Sequence, residues 1–165
     1  EELCDPEGLE GGAPSVNNSH TGLGLLPLRT VFSADKALRQ RSSVARWPAG
    51  SSALNLEGFE LHHGRTASKE SEPCQPLCLD AELGWVTPIN EQGGFVAGIY
   101  LHGVFESGPW RRRWLNQLRT RKGLPPLSEQ QPHHSRQREA LLDRLADAFE
   151  QHINIEPLLS SSTKG

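Results

Sequence analysis

The side chains in this sequence best placed to move protons are histidines at the ends of apolar stretches. The run Gly98-Ile99-Tyr100-Leu101-His102-Gly103-Val104-Phe105-Glu106 reads as a buried strand that ends in an imidazole followed at once by glycine. Strand ends and the loops after them place side chains outside a sheet, where a rigid scaffold can aim them at a ligand. An imidazole there can take up and release a proton near neutral pH. A histidine hydrogen-bonded into a loop would leave the same trace, so its neighbours decide between the two. Upstream, Leu56-Glu57-Gly58-Phe59-Glu60-Leu61-His62-His63-Gly64-Arg65-Thr66 is a second short strand pattern that also ends in histidines and a glycine. Two such ends in one sheet could line one cleft.

The elements that must hold these groups can be read along the chain. Residues 1–20 are rich in Gly, Asn, Ser and Pro and predict loop, and a strand is expected through Leu23 to Phe32. From Ser33 to about Gln40 a polar stretch has helix or turn character, and 41–55 is punctuated by Ser and Gly around Trp47-Pro48. A strand over 56–62 follows, then a proline-containing loop from Ala67 to Asp80. Gly84–Ile89 and Gly94–Tyr100 flank the turn-rich Asn90-Glu91-Gln92-Gly93 and predict a hairpin. A helix should begin near Gly108-Pro109 and end at Gly123. Its residues Trp110, Trp114, Leu115 and Leu118 recur at helical spacing and should face the core. Arg111, Arg112, Arg113, Arg119, Arg121 and Lys122 fill the other side, which reads as a solvated face or one that docks on an acidic partner domain. No aromatic platform for bases adjoins them, so nucleic acid is not an expected partner. A second helix from about Ser135 to Ile153 carries Leu141, Leu142, Leu145, Phe149 and Ile153 on one stripe, which reads as core.

The three cysteines are an odd number and argue against a disulfide framework. Cys4 is flanked by Glu1, Glu2, Asp5 and Glu7, which oppose a thiolate, and no glycine adjoins it to open an oxyanion hole; it is not read as a nucleophile. Cys74 and Cys78 lie in Glu72-Pro73-Cys74-Gln75-Pro76-Leu77-Cys78, at a spacing zinc sites seldom use, and read as free thiols, so no metal ligand is assigned.

With 165 residues, 35% of them hydrophobic, and a mean hydropathy of −0.54, the chain has the composition of one soluble domain, or part of one, that can build a core. No apolar run approaches the roughly 20 residues of a membrane-spanning helix, so no membrane partner is expected. The acidic start has no signal-peptide form, which points to the cytoplasm. A net charge of −3 gives no global pull toward nucleic acid or anionic lipid.

Taken in order, Asp5-Pro6-Glu7-Gly8, Thr21-Gly22-Leu23-Gly24-Leu25-Leu26, the Gly58-Phe59-Glu60-Leu61-His62-His63-Gly64-Arg65-Thr66 strand, the Tyr100-Leu101-His102-Gly103-Val104-Phe105 strand and the Asp143-Arg144-Leu145-Ala146 helix resemble the later part of the C-terminal glutamine amidotransferase domain of cobyric acid synthases. The resemblance covers residues 1–158 and leaves 159–165 as an expected disordered tail. It implies an α/β fold: part of a flavodoxin-like class I glutamine amidotransferase domain, a mixed sheet with flanking helices.

By the same resemblance His102 matches the family's catalytic histidine, and His62 and Gly64 fall in a motif near the substrate. His62 fits the fixed histidine of that motif, His63 its variable position, and Phe59 stands where the family commonly has Tyr. The nucleophilic cysteine of a Gly-x-Cys-Gly-Gly turn would lie just upstream of Glu1, so the chain is expected to be a fragment, silent on its own, with an exposed apolar edge. Many amidotransferases of the wider class carry an acid two residues after the histidine. Here that residue is Val104, which agrees with a Cys-His pair; Glu106 could substitute but reads as a solvated carboxylate.

The resemblance implies glutamine as substrate and a corrinoid reached through a synthase domain. That domain would use ATP and Mg to amidate the b, d, e and g carboxylates of adenosylcobyrinic acid a,c-diamide, while this segment binds no cofactor. The related cobyrinic acid a,c-diamide synthase and a non-catalytic, zinc-holding binding module are the alternatives.

Overall fold

The computed structural model describes residues 1–11, 13–15, 17–69, 74–89 and 93–154. The chain divides into two compact units, Glu1–Gln131 and Pro132–Gly165.

In the first unit the strands are β1 Glu2–Cys4, β2 Ser19–Thr21, β3 Leu28–Val44, β4 Asn55–Ser68, β5 Gln75–Pro76, β6 Gly84–Pro88, β7 Phe95–Ile99 and β8 Leu101–His102. A 3-10 turn, Val104–Glu106, and the helix α1, Gly108–Arg121, follow. The strands form a mixed five-stranded sheet in the order β2-β1-β3-β4-β8 and a three-stranded sheet in the order β5-β6-β7. Among the described residues only β1 and β3 run parallel; the other pairs are antiparallel. This is the α/β architecture, a mixed sheet with a flanking helix, that the family resemblance implies.

The long β3–β4 ribbon departs from the expected layout. Ser33–Gln40, read as helix or turn, is strand, and β3 continues to Val44. Most of β3 is exposed or half-buried, so its sequence lacks the apolar alternation that marks a half-buried strand. Pairing decides its conformation: four positions match β4 before a bulge between Val31 and Lys36, and nine match it after. The strand also starts later than expected, because Pro27 offers no N–H for a ladder and pairing with β1 begins at Arg29. The predicted hairpin is formed by β6 and β7, paired from Gly84↔Ile99 to Pro88↔Phe95; its turn residues 90–92 lie outside the described residues.

Leu56, Leu77, Cys78, Leu83, Leu101, Val104 and Trp110 make the main core cluster, with Trp47 and Trp114 packed against it. It joins β4, β8, the 3-10 turn and α1. Leu26, Leu28 and Trp85 form a second cluster, flanked by Val96 and Tyr100. Trp110, in the first turn of α1, is 2% exposed and donates from its indole Nε1 to the Trp47 carbonyl at 3.0 Å.

Arg113 corrects the expected solvated face of α1. Three residues after Trp110, it shares the inward side of the helix and is only 3% exposed. Its guanidinium donates to Glu129 at 2.8 and 3.0 Å, to the Ser52 carbonyl at 2.9 Å and to the Ser52 hydroxyl at 2.8 Å. The acidic partner of this cation is therefore in the chain itself. Asn116, also inward, clamps Leu127 through paired bonds of 2.8 and 2.9 Å. Trp114, Leu115 and Leu118 are half-buried.

The second unit contains α2, His134–His152. The stripe expected to be core is open: Leu141, Leu142, Leu145, Phe149 and Ile153 are between 43% and 58% exposed, and α2 has no buried residue. Periodicity fixes which face of a helix is apolar but not what covers it. The expected disordered tail, 159–165, lies outside the described residues.

Truncating Arg113 should test how much the α1 clamp contributes. Arg113→Ala is expected to lower unfolding free energy by about 2–3 kcal/mol in urea titration, because a buried charged donor is removed together with its packing and its bonds to Glu129 and Ser52. A loss under about 0.5 kcal/mol, the level of ordinary surface changes, would show the clamp to be passive.

Candidate active site

His102 is held by its neighbours in the chain more than by its own side chain. Leu101, before it, is 2% exposed, and Val104, two residues after, is 4% exposed; both belong to the main core. Gly103 between them has φ 85°, a left-handed conformation that glycine adopts without strain, and it opens the 3-10 turn immediately after the strand. The two core anchors and this turn leave the His102 side chain exposed at the sheet's end.

β8 pairs with β4 at two positions only, Phe59↔His102 and Glu60↔Leu101. Directly opposed residues in an antiparallel pair share a face. The imidazole accordingly stacks on the Phe59 ring, centroids 4.8 Å apart and planes 9° from parallel. Among the described residues no hydrogen bond orients the ring. Val104 points into the core, so the position two after the histidine carries no carboxylate, and Glu106 makes no bond to His102. Gly58 lets the strand come this close: a Cβ there would collide with the His102 carbonyl oxygen.

Alternation along β4 puts Glu60 and His62 on the face opposite Phe59. His62 and His102 therefore belong to adjacent strands of one sheet but diverge, and they do not line one cleft as their similar sequence contexts suggest. His62 faces two acceptors: its Nε2 lies 2.8 Å from Glu60 Oε1 and its Nδ1 2.9 Å from the Gly64 carbonyl. Its ring stacks on Tyr100 with centroids 3.9 Å apart. The Tyr100 hydroxyl meets Thr66 Oγ1 at 2.5 Å, and Thr66 meets Thr30 at 2.7 Å.

Glu60 is 4% exposed and accepts from Arg39 at 2.7 Å and Arg41 at 3.3 Å. Arg41 also pairs with Asp80. The hydrogen bond from Arg39 holds the Glu60 carboxyl below the usual glutamate range; burial opposes this, and His62 and Arg41 add to it. A cavity of about 520 Å³ opens on this side, lined among others by Lys36, Arg39, Glu60, His62, Gly64 and Tyr100. Gly64 has φ 128°, and a Cβ on it would sit 2.8 Å from the Val31 carbonyl, so only glycine fits under the β3 bulge.

Sequence reasoning singled out His62 and Gly64 here but not Glu60, Thr66 or Tyr100. The available signal was spacing: Glu60 lies two residues before His62 on one strand, which makes them face-mates. His63, on the other face, has a buried Nδ1 without a hydrogen-bond partner among the described residues.

The thiols are elsewhere. Cys4 is buried in β1 and its Sγ lies 3.6 Å from Glu2 Oε1. All three cysteines are free. Burial pushes the Cys74 and Cys78 thiols up from their ordinary range, which disfavours thiolates. Among the described residues no group of His, Cys, Asp and Glu converges on a common metal position. Near the chain's start, Asp5 closes the Asp-Pro-x-Gly loop by accepting from the Leu9 and Glu10 N–H groups at 2.9 and 3.0 Å.

The depressed Glu60 carboxyl has a thermodynamic consequence. Its ionised form is favoured by folding, so its contribution is present above the unfolded glutamate value of about 4.3 and is lost as pH falls through the lower folded value. Melting curves between pH 7 and pH 3 should show a steeper loss of stability for the native chain than for Glu60→Gln, and parallel curves would count against the ion cluster. In the other constellation, Gly58→Ala should displace β8, seen as changed chemical shifts for His102 while those of α1 stay fixed.

Comparison with known proteins agrees with this layout. A family profile described as the CobB/CobQ-like glutamine amidotransferase domain matches residues 1–110. The cobyric acid synthase of Synechococcus sp. strain CC9311 is 80% identical over 163 residues, covering 98% of this chain and 32% of that protein. The cobyric acid synthase of Synechococcus sp. strain WH7803 is 64% identical over 160 residues, covering 96% of this chain and 32% of its own length. That of Prochlorococcus marinus strain MIT 9313 is 48% identical over 162 residues, with 96% and 32% covered. The chain thus spans about a third of the length of these relatives. With a matched region that includes β1 through β8 and His102, this chain belongs to the CobB/CobQ-like glutamine amidotransferase domain family.

Proposed function

We propose that this chain supplies the histidine side of a glutaminase centre in a cobyric acid synthase. One observation carries the reading: the exposed His102 imidazole at the end of β8, fixed in place by the buried Leu101 and Val104 on either side of it.

In the proposed reaction a cysteine thiolate, borne on a Gly-x-Cys-Gly-Gly turn that these residues do not include, attacks the carboxamide carbon of glutamine. A C–S bond forms, and the C–N bond breaks as His102 passes a proton to the departing nitrogen, which leaves as ammonia. Water then attacks the thioester carbonyl, His102 accepts its proton, and glutamate departs with the thiolate restored. The ring's surroundings support a Cys-His pair: Phe59 stacking holds the imidazole, and the side chain at position 104 is buried hydrocarbon.

His62 and Gly64 line the cavity on the other face. The His62 nitrogens are already engaged inside the protein, which favours a supporting role over contact with the reacting carboxamide. The ammonia would serve a cytoplasmic synthase reaction, the ATP- and Mg-dependent amidation of the b, d, e and g carboxylates of adenosylcobyrinic acid a,c-diamide. Those cofactors would be held by the synthase portion. The relatives are cobyric acid synthases, which favours this substrate over that of the a,c-diamide synthase.

His102→Asn in the full-length enzyme tests the assignment. Glutamine hydrolysis is expected to fall by a factor of about 10² to 10⁴, the usual contribution of a positioned acid–base group, while amidation driven by added ammonium continues. The chain of 165 residues alone should release no ammonia from glutamine. Hydrolysis by the short chain, or undiminished hydrolysis by the variant, would overturn the proposal.

A further inference from the structure

The short β8 raises a physical question: two paired residues cannot fix a strand end by themselves. A catalytic imidazole displaced by about 1 Å loses rate by factors that reach roughly 10². Leu101 and Val104 hold the backbone on either side of His102, and the chain that enters the strand before them needs an anchor of its own.

The residue before β8 is Tyr100, and it is gripped at several points. Its N–H donates to the Leu83 carbonyl at 2.8 Å. Its hydroxyl is bonded to Thr66 of β4, and Thr66 in turn to Thr30 of β3. One ring face lies on His62, at 16° from parallel, and the ring meets Trp85 edge-on with centroids 5.9 Å apart. His62 cannot yield, because its two nitrogens are held by Glu60 and the Gly64 carbonyl. Glu60 is itself fixed by Arg39 and Arg41 and lies directly opposite Leu101 in the ladder. A continuous set of contacts therefore runs from β3 through β4 to the residue two before His102, all on the face away from its ring.

We infer that Tyr100, with Thr66 and His62 behind it, is a positioning residue that sets where the His102 imidazole stands, acting through the backbone from the opposite face of the sheet. The inference rests on the glutaminase reading of His102. Neither Tyr100 nor His62 touches the reacting atoms in this account. Phe59 holds the ring from its own side, and Tyr100 holds the strand that carries it.

Two substitutions remove the link without emptying the core. Tyr100→Phe keeps the ring and its stacking but loses the hydroxyl; Thr66→Val keeps the side-chain shape but loses the bridging oxygen. In the full-length enzyme each should lower kcat for glutamine hydrolysis about tenfold and leave the KM for glutamine within about twofold, as expected when orientation rather than binding is lost. Combined, they should cost little more than either alone, because both cut one bond. Thr66→Ser, which keeps the hydroxyl, should restore the native rate. Amidation driven by ammonium chloride should be unchanged in all of them, which a general folding defect would not allow.

Equal losses with glutamine and with ammonium, or native kcat in both Tyr100→Phe and Thr66→Val while His102→Asn is inactive, would overturn the positioning role and leave the glutaminase reading standing. Full glutamine hydrolysis by His102→Asn would remove the reading and this inference with it.

Discussion

A buried carboxylate must find partners or lose its charge, and Glu60 is the place where this chain meets that demand. Removing a carboxylate from water is costly unless cations and donors replace the hydration shell. Arg39 and Arg41 come from β3, His62 from β4 itself, and Arg41 reaches on to Asp80 in the loop beyond β5. Satisfying one side chain thus fixes the relation of β3 to β4 and ties in the segment that precedes β6. The residue across the ladder from Glu60 is Leu101, so the strand carrying His102 is laid down against the best-anchored point of the ribbon.

From that anchor the sheet separates two tasks. On one side, polar groups interlock around Glu60, His62, Thr66 and Tyr100; on the other, the Phe59 ring supports an imidazole that is left open. The pleat of β4 makes the separation, because neighbouring residues point to opposite faces. Hydrocarbon does the remaining work: Leu101 and Val104 hold the backbone on both sides of His102, and Trp110 seals the same cluster from α1.

How much of this could be read from sequence depends on whether local pattern or distant pairing controls each segment. His102 was legible because an apolar run, a histidine and a glycine lie next to one another in the chain and encode a strand, an exposed group and a turn. The β6–β7 hairpin was legible for the same reason. The middle of β3 was not: Ser33–Gln40 is polar, and from Lys36 onward it is pairing with β4 residues 19 to 27 positions away that makes it strand. Arg113 was misread because its charge suggested water, whereas Ser52 and Glu129, far off in sequence, satisfy it in the interior. The divergence of His62 from His102 depends on the parity of their positions relative to the Phe59↔His102 pair, which no single strand pattern contains.

The β3 bulge opposite Gly64 has a further consequence for the ribbon's uniqueness. A strand whose face is weakly marked by apolar residues can slide by two positions and keep the same sides in and out. Here such a slip would carry His62 or Thr66 under the Val31 carbonyl, where the space beside the Gly64 α-carbon is already closed to a single methyl group. The bulge and its glycine act as a peg and socket, giving a long polar ladder one admissible alignment that its side-chain chemistry alone would not enforce.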